Sequence, residues 1–504
     1  MRKGLTGFVA VAVAGFPAPA AGAEPDSGTL SVLTYNVAGL PDGISGAPSP
    51  RAPSTTAIGA RAGACALVHV QEDFDYHANL YAADRHPYRT PTSGGAGIGS
   101  GLNAMASLPY DADDFERVSW TSCQLDSEDC LTPKGFTSMR LRLAGGVFLD
   151  VYNLHTNAGT NPGDLASRAA DLDRLSAFIG SHSAGNAVLV MGDTNTRYTR
   201  AGDTIGPFAA ANGLTDAWVR LERGGVAPAP GSPVLPCDEN AITDTCEVVD
   251  KVLYRGSKLV GLAATSYHDE HAAFLDEQGR TLSDHDPIAV GLAWTRAADF
   301  RASDRSGGPH RDYFTDLDRV PAGAVPAAIT VRGGARVDRI GLTLADGTTL
   351  AHGGGGGTET RLPLAAGEYP EWVFLCRGSH ARGTRGSFSS GSRRAAGRRS
   401  RRGPRPTTAR PTPRRPAGRS RGSTAVPATR STSWVSSTRV ADAGLAPGTC
   451  GGARMGAKSE LALSAFECQS PGRGHRRRRQ STVEHDAAAN GGRPWDWRRS
   501  GSRR

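Results

Sequence analysis

A single α/β domain with its polar residues gathered along one sheet edge is predicted for residues 24–300 of this 504-residue chain. Three observations predict it. Apolar runs of five to eight residues recur at Thr29–Asn36, Ala66–Gln71, Val147–Leu154, Ala187–Met191, Val248–Tyr254 and Ile288–Trp294, the length of buried strands. Between the third and fourth, Asp164–Ser181 carries Leu165, Ala169, Leu172, Leu175 and Phe178 at helical spacing, a helix packed on a sheet. Five blocks, LTYNVAGLP, VHVQED, VYNLHTNAG, VMGDTNTRY and LSDHDPI, place an Asn, Glu, His or Asp at or near the boundary of a short apolar run. Polar groups just past buried strands collect at one edge of a sheet, where an α/β protein builds its site.

Taken in order, the chain opens on a basic start (Arg2, Lys3), an apolar stretch from Leu5 to Phe16 and a small-residue end, Ala21-Gly22-Ala23. This predicts a signal peptide over residues 1–23 and a secreted, extracellular protein. The apolar run is shorter than the ~20 residues of a spanning helix, and Pro17 and Pro19 interrupt its end. The glycine-rich stretch Gly94–Leu102 lacks the Lys-Ser/Thr of a phosphate loop and reads as a flexible surface turn. Export permits disulfides, and two close pairs, Cys123 with Cys130 and Cys237 with Cys246, bracket polar acidic loops. Zinc binding is the alternative, although neither pair has a CxxC spacing or a histidine nearby. Cys65, Cys376, Cys450 and Cys468 have no evident partners.

The formal charge of +9 suggests a polyanionic partner, but its distribution argues otherwise. Residues 386–504 hold 26 Lys and Arg against 6 Asp and Glu, leaving 32 against 43 in residues 1–385. The part that carries the chemistry is acidic, which disfavours nucleic acid as a partner. Beyond Asp304, Ile329–Val331, Val337–Leu344 and Arg361–Leu364 read as short β segments of a small all-β module, placed at residues 310–385. After Arg385 the chain is a low-complexity run of Arg, Ser, Pro and Gly.

The five blocks supply the chemistry. Glu72 with Asn36 offers a carboxylate and an amide oxygen, an ordinary pair for Mg²⁺ or another hard divalent cation. Asp193 and Asn195 in GDTN, taken alone, form no more than an Asx turn, and His155 alone is a strand-end histidine. Ser283-Asp284-His285 is the sharpest block: an Asp beside a His can orient the imidazole, and a neutral imidazole takes a proton from water. Asp250, at the end of EVVD, reads as a weaker member of the set.

LTYNVAGLP, VQED, NLHTNAG, GDTN, DKVLY and SDHDP resemble the endonuclease/exonuclease/phosphatase superfamily over nearly all of residues 29–296. Within it, YNVAGLP, VQEDF, LTPKGF and the Cys-bracketed loop before it are most similar to secreted sphingomyelinase C-like phosphodiesterases. The resemblance implies a four-layer, DNase I-like α/β sandwich and a metal-dependent phosphodiesterase acting on membrane phospholipid. It implies Glu72 as metal carboxylate supported by Asn36, and His285 as general base with Asp284 beside it. His155, Asp193 and Asn195 would contact the scissile phosphate or steady the attacking water, with His155 neutralising phosphoryl charge. Lys134, in the KGF block, is placed near the substrate. The alternatives are a secreted DNase-like endonuclease and a glycan-binding protein with an inactive hydrolase domain.

VRGGARVDRIGLTLADG and HGGGGGTETRLPLAAGEY resemble the opening of a jacalin-type lectin, which implies a β-prism and a glycan partner. Out-of-frame translation of a GC-rich gene yields Arg, Pro, Ala, Gly and Ser in excess, the texture of the tail. Reading Gly422–Ala441 in the alternative frame is compatible with FHGRSGDEVDQLGFVY, which resembles the family's final sugar loop. Residues 386–504 are therefore expected to be out of frame and the lectin module truncated near Arg385.

Overall fold

The computed structural model describes residues 25–368, apart from 125–128, 239–240, 299, 305–312, 322 and 335–336. The expected leader, the Arg-rich tail and Cys376, Cys450 and Cys468 lie outside the described residues. The chain begins β1 (Ser27–Asn36), α1 (Arg51–Ala62), β2 (Leu67–Gln71), α2 (His77–Ala83), β3 (Tyr88–Arg89), β4 (Asn103–Ala106), β5 (Glu116–Ser119), β6 (Gly135–Ala144) and β7 (Val147–His155). It continues α3 (Pro162–His182), β8 (Ala187–Asp193), α4 (Ile205–Ala211), β9 (Thr215–Asp216), α5 (Ala217–Glu222), β10 (Asp250–Arg255), β11 (Val260–Asp269) and β12 (Ile288–Arg296).

These strands form two six-stranded mixed sheets, ordered β11-β12-β1-β2-β4-β3 and β5-β6-β7-β8-β10-β9. The period of two along a strand decides which side chain enters which layer. In β1, Leu30 and Val32 join a core shared by both sheets, while Leu33 and Tyr35 pack outward with Ile58 of α1 and Leu80 of α2. On the second sheet Phe178 of α3 meets Phe136 and Tyr152 edge-on. Helices thus cover the outer faces of two stacked sheets. None among the described residues is long and apolar enough to cross a membrane.

The longest helix shows why the local sequence folds as it does. Pro162 opens α3 at a position where a missing N–H costs nothing, and Asp164 reaches back to the Asn161 amide at 2.9 Å. Leu172, Leu175 and Ile179 are its buried apolar residues, each contributing about 1.5–3 kcal/mol by burial. The expected span, Asp164–Ser181, falls inside it.

The inter-sheet layer turns polar toward one end. Gln71 Nε2 donates to Asn153 Oδ1 across the sheets at 2.7 Å, and Asn153 Nδ2 donates to the carbonyls of Val70 and Asn103. Asn36, two residues beyond Thr34 on the same inward face, continues this layer to the edge.

Beyond β12 the chain still packs on the second sheet. Ala302 is buried, and Arg142 forms a bidentate pair with Asp304 at 3.0 and 2.9 Å. A four-stranded antiparallel sheet follows: β13 (Pro326–Gly333), β14 (Val337–Leu344), β15 (Thr349–Gly353) and β16 (Thr358–Pro363), ordered β15-β14-β13-β16. Its small core is Ile329, Leu342, Leu344 and Leu350. The described residues of the expected β-prism-like module form this one sheet, and the rest of its expected span, to residue 385, lies outside them.

Candidate active site

Strand register brings the polar blocks together. β1 and β2 run parallel with Asn36 opposite Gln71, so Asn36 and Glu72 leave neighbouring strands side by side. On the second sheet His155 pairs with Asp193 across β7 and β8, and Asp193 pairs with Asp250 across β8 and β10. The two edges meet face to face. Asn36 Nδ2 lies 3.2 Å from both Glu72 Oε1 and Asp193 Oδ2, joining the sheets through one amide. His155 Nε2 also lies 3.2 Å from Asp193 Oδ2, while Asp193 Oδ1 accepts the Asn195 amide at 2.9 Å. Asn195 takes a left-handed conformation (φ 49°), which asparagine tolerates, and its Nδ2 donates to the Thr156 carbonyl.

His285 arrives from the first sheet, on the loop that leads into β12. Its Nδ1 is 2.8 Å from Asp250 Oδ2, and its Nε2 faces Asp193 Oδ2 at 3.8 Å. The carboxylate that orients the imidazole is therefore Asp250, not the adjacent Asp284. Asp284 is exposed, and its side chain sits against Gly46, where a Cβ would come within 2.3 Å of Oδ2. Neighbouring residues in an extended loop project apart, whereas register places Asp250 beneath the ring. Ser283 anchors the same loop by donating to the Asn36 carbonyl at 2.6 Å.

Glu72 sits on a left-handed backbone (φ 54°), an uncommon conformation for glutamate that a crowded setting must hold. Two glycines make room for it. A Cβ on Gly39 would meet the Glu72 carbonyl at 2.2 Å, and one on Gly101 would meet the Glu72 Cα at 2.8 Å. The glycine-rich stretch expected to be a surface turn thus packs its last glycine against the Glu72 backbone and the Phe74 ring. Lys134 is held with Nζ 2.5 Å from Asp129 Oδ1. Asp129 also accepts the Ala158 amide and adjoins the Cys123–Cys130 disulfide. The second expected pair, Cys237–Cys246, is bonded as well.

Electrostatics divides these groups. Burial pushes Glu72 above the usual carboxylate range, and Lys134 with the Asn36 amide offset only part of that. Burial raises Asp250 too, against the pull of His285. Asp193 feels the same burial, but His155, His285 and Lys134 outweigh it and hold the carboxylate below its ordinary value. His285 is the reverse case: burial disfavours its charge, yet Asp250 and Asp193 lift it well above 6.5. Burial and Lys134 drive His155 down to about 3. That favours the neutral ring, with Nε2 turned to Asp193 Oδ2. Asp193 opposes that shift without reversing it.

Hard oxygen donors suit this edge. Glu72 is a buried carboxylate short of compensating charge, Asn36 adds an amide, and Asp250 Oδ1 is buried without a partner. A further set, Asp193, Asp250 and His285, brings three ligand-type atoms within 4.8 Å of one another. The Asp250–His285 bond already uses two of these groups; Glu72 could also hold a cation such as Mg²⁺, and Asn36 could join it through Oδ1, which here accepts the Ala38 amide at 3.1 Å.

Sequence reasoning undervalued Asp250 and passed over Gly101. A signal for Asp250 existed: an acid flanking an apolar strand, as in the other blocks. Nothing local distinguished Gly101 from its loop.

Residues 60–225 match the family described as Endonuclease/Exonuclease/phosphatase family 2. Sphingomyelinases of Mycobacterium tuberculosis and Mycobacterium bovis are 40% identical over 273 residues, 53% of this chain and 53% of each relative. The chain thus spans about half the length of the curated relatives it matches. Among solved structures, a sphingomyelinase C from Streptomyces griseocarneus is 20% identical with a TM-score of 0.37, covering 52% of this chain and 99% of that one. A beta toxin from Staphylococcus aureus is 16% identical with the same TM-score and coverage. Residues 60–225 are thus similar to that family, and a 273-residue stretch of the chain is similar to sphingomyelinases.

Proposed function

We propose that this endonuclease/exonuclease/phosphatase domain makes the chain a secreted, divalent-cation-dependent phosphodiesterase. Its substrate is a sphingomyelin-type phospholipid, cleaved to release the phosphorylated head group. The observation that carries the reading is the Asp250–His285–Asp193 alignment facing Glu72 and Asn36 across the sandwich edge. The lipid substrate is taken from the homologous sphingomyelinases.

Glu72 and Asn36 would hold the cation, which supplies Lewis-acid stabilisation of charge on a phosphoryl oxygen. The remaining roles belong to the chain's own groups. His285 presents Nε2 toward the site with Nδ1 fixed on Asp250, so in the unprotonated form of the ring, favoured as pH rises, Nε2 is the atom placed to take the proton from water. The oxygen of that water bonds to phosphorus as the ester bond to the lipid breaks, and the lipid oxygen leaves as the alcohol by taking a proton from solvent. Asp250 then carries a hydrogen-bonded imidazolium rather than a free one, which stabilises the charge formed as the proton moves. Asp193 is held from three sides, by Asn36, His155 and the Asn195 amide, and steadies the water beside His285. Lys134 adds a fixed positive charge next to Glu72 and Asp193, where an anionic phosphodiester gains from it.

The test is release of phosphocholine from sphingomyelin vesicles by the purified full chain, run beside nicking of plasmid DNA. Turnover of the lipid should vanish with EDTA, return with Mg²⁺, and fall by about 10²–10⁴-fold in His285→Ala. Plasmid nicking without lipid cleavage would replace this reading with a nuclease. Undiminished lipid turnover in His285→Ala would remove the base assignment. The expected glycan-binding role, whose final loop is placed past residue 368, takes no part in this proposal.

A further inference from the structure

Among the buried arginines of the described residues, Arg51 is set apart by its partners. Arg140 is bonded to Asp150 and Arg168 to Asp203. Arg51, 1% exposed at the start of α1, spends its side-chain donors on backbone carbonyls alone. Its Nε donates to Ala38 at 2.9 Å, Nη2 to Val37 at 2.5 Å, and Nη1 to Leu282 at 2.8 Å and Ser49 at 3.3 Å. Removing a guanidinium from water without a hydrogen-bonded carboxylate costs several kcal/mol, which the charges of Asp284 and Asp42 nearby offset only in part, so the fold keeps it against a penalty. A Leu or Met would fill the space at lower cost if packing were the only demand.

What the fork joins explains the expense. Val37 and Ala38 follow Asn36 directly, and Leu282 precedes Ser283, Asp284 and His285. Two lesser ties run alongside: Ser283 Oγ donates to the Asn36 carbonyl at 2.6 Å, and Ser49 Oγ to the Thr281 carbonyl at 2.8 Å. His285 belongs to a loop of the first sheet yet must reach Asp250 on the second. A planar five-donor group is suited to holding two loop backbones at a set separation, which a single ammonium cannot do.

We propose that Arg51 is a positioning residue: its carbonyl-bound guanidinium clamps the loop after β1 to the loop before β12. The clamp keeps His285 aligned on Asp250 and facing the Asn36–Glu72 pair. Arg51 touches neither substrate nor cation. It acts through the two loops, and the inference rests on the reading of His285 as the base.

The test uses the full chain as Arg51→Ala and Arg51→Lys, with phosphocholine release from sphingomyelin vesicles and hydrogen exchange without substrate. Both variants should lose about 10–100-fold in kcat with KM within about 3-fold, the scale of a displaced catalytic group. Millimolar guanidinium should restore several-fold turnover to Arg51→Ala, and equal sodium chloride should not. A merely structural role predicts no rescue, since guanidinium at that concentration does not stabilise a fold. Amides of residues 37–39 and 282–285 should lose protection while β1 and β12 keep theirs. Wild-type kcat in Arg51→Lys, or no guanidinium response in a folded Arg51→Ala, overturns the proposal. If Arg51→Ala does not fold, the Lys variant decides it by kcat and by local exchange. Failure of the wild type to cleave lipid strikes the functional reading instead and leaves the exchange experiment in force.

Discussion

Asp250 and Asp284 are two carboxylates near one histidine, and distance separates their roles. Asp250 is bonded to His285 Nδ1 at 2.8 Å, whereas Asp284 turns toward Gly46 and solvent. Asp250→Asn should lower kcat by about 10²–10⁴-fold, because the amide leaves the imidazolium without its counter-charge. Asp284→Asn should change kcat far less; steady-state kinetics on the two purified variants gives the ranking. His69 offers a separate test by pH. It is buried between the sheets and bonded to the Met191 backbone, and burial drives its pKa to about 3. The unfolded chain binds a proton below about 6.5 that the native state refuses, so stability falls as pH drops. Relative to His69→Gln, the wild type should lose up to about 1.4 kcal/mol per pH unit between about 6.5 and 4. Urea titrations of both proteins across that range read the difference directly, and parallel curves would remove His69 from the account.

Single elements show how far each part of the site depends on its support. The Cys123–Cys130 bridge closes a short loop whose end carries Asp129, and Asp129 holds Lys134. The Cys123→Ser/Cys130→Ser double variant should lose about 2–3 kcal/mol from the restored chain entropy of the unfolded loop. It should also raise KM, because Lys134 loses its anchor; thermal unfolding with Michaelis kinetics separates the two effects. At this scale the sequence was readable where patterns were clean. Six strands and α3 were marked by apolar runs or helical spacing. β6 escaped because Arg140 and Arg142 interrupt its apolar run, and only the bond to Asp150 makes Arg140 a buried residue. β11 escaped because it is half-exposed, so its composition is mixed. The short helices α1 and α2 owe their place to packing against Leu33, Tyr35, Val68 and Val70 rather than to strong internal signals.

Across the whole molecule, the expected limit of the first domain near residue 300 meets a chain that keeps packing. Ala302, Asp304 and Tyr313 all engage the second sheet or its loops, the last through Asp114 and the Arg140 guanidinium. A fragment of residues 24–368 should keep full turnover, whereas one of residues 24–300 should be about 1–3 kcal/mol less stable. Comparing the melting of the two fragments tests this, and equal stability would make the 301–368 segment a bystander. The charge split belongs to this scale as well. The basic residues concentrate past 385, so the net charge of +9 says little about the body that carries the site.

The sequence by itself determined the ingredients: an α/β body, two local disulfides, and acidic, amide and histidine groups at the ends of buried strands. These are local properties, since strand length, alternation and close cysteine spacing are written in contiguous residues. Only the tertiary structure decided the partnerships. Which carboxylate orients His285, why His155 is neutral, and why Glu72 needs Gly39 and Gly101 all depend on contacts across dozens to hundreds of residues. Asn36 meets Asp193 at a separation of 157 residues, and Arg51 meets Leu282 at 231. The fold makes such pairs by register and by the meeting of two sheets, and no run of neighbouring residues records them.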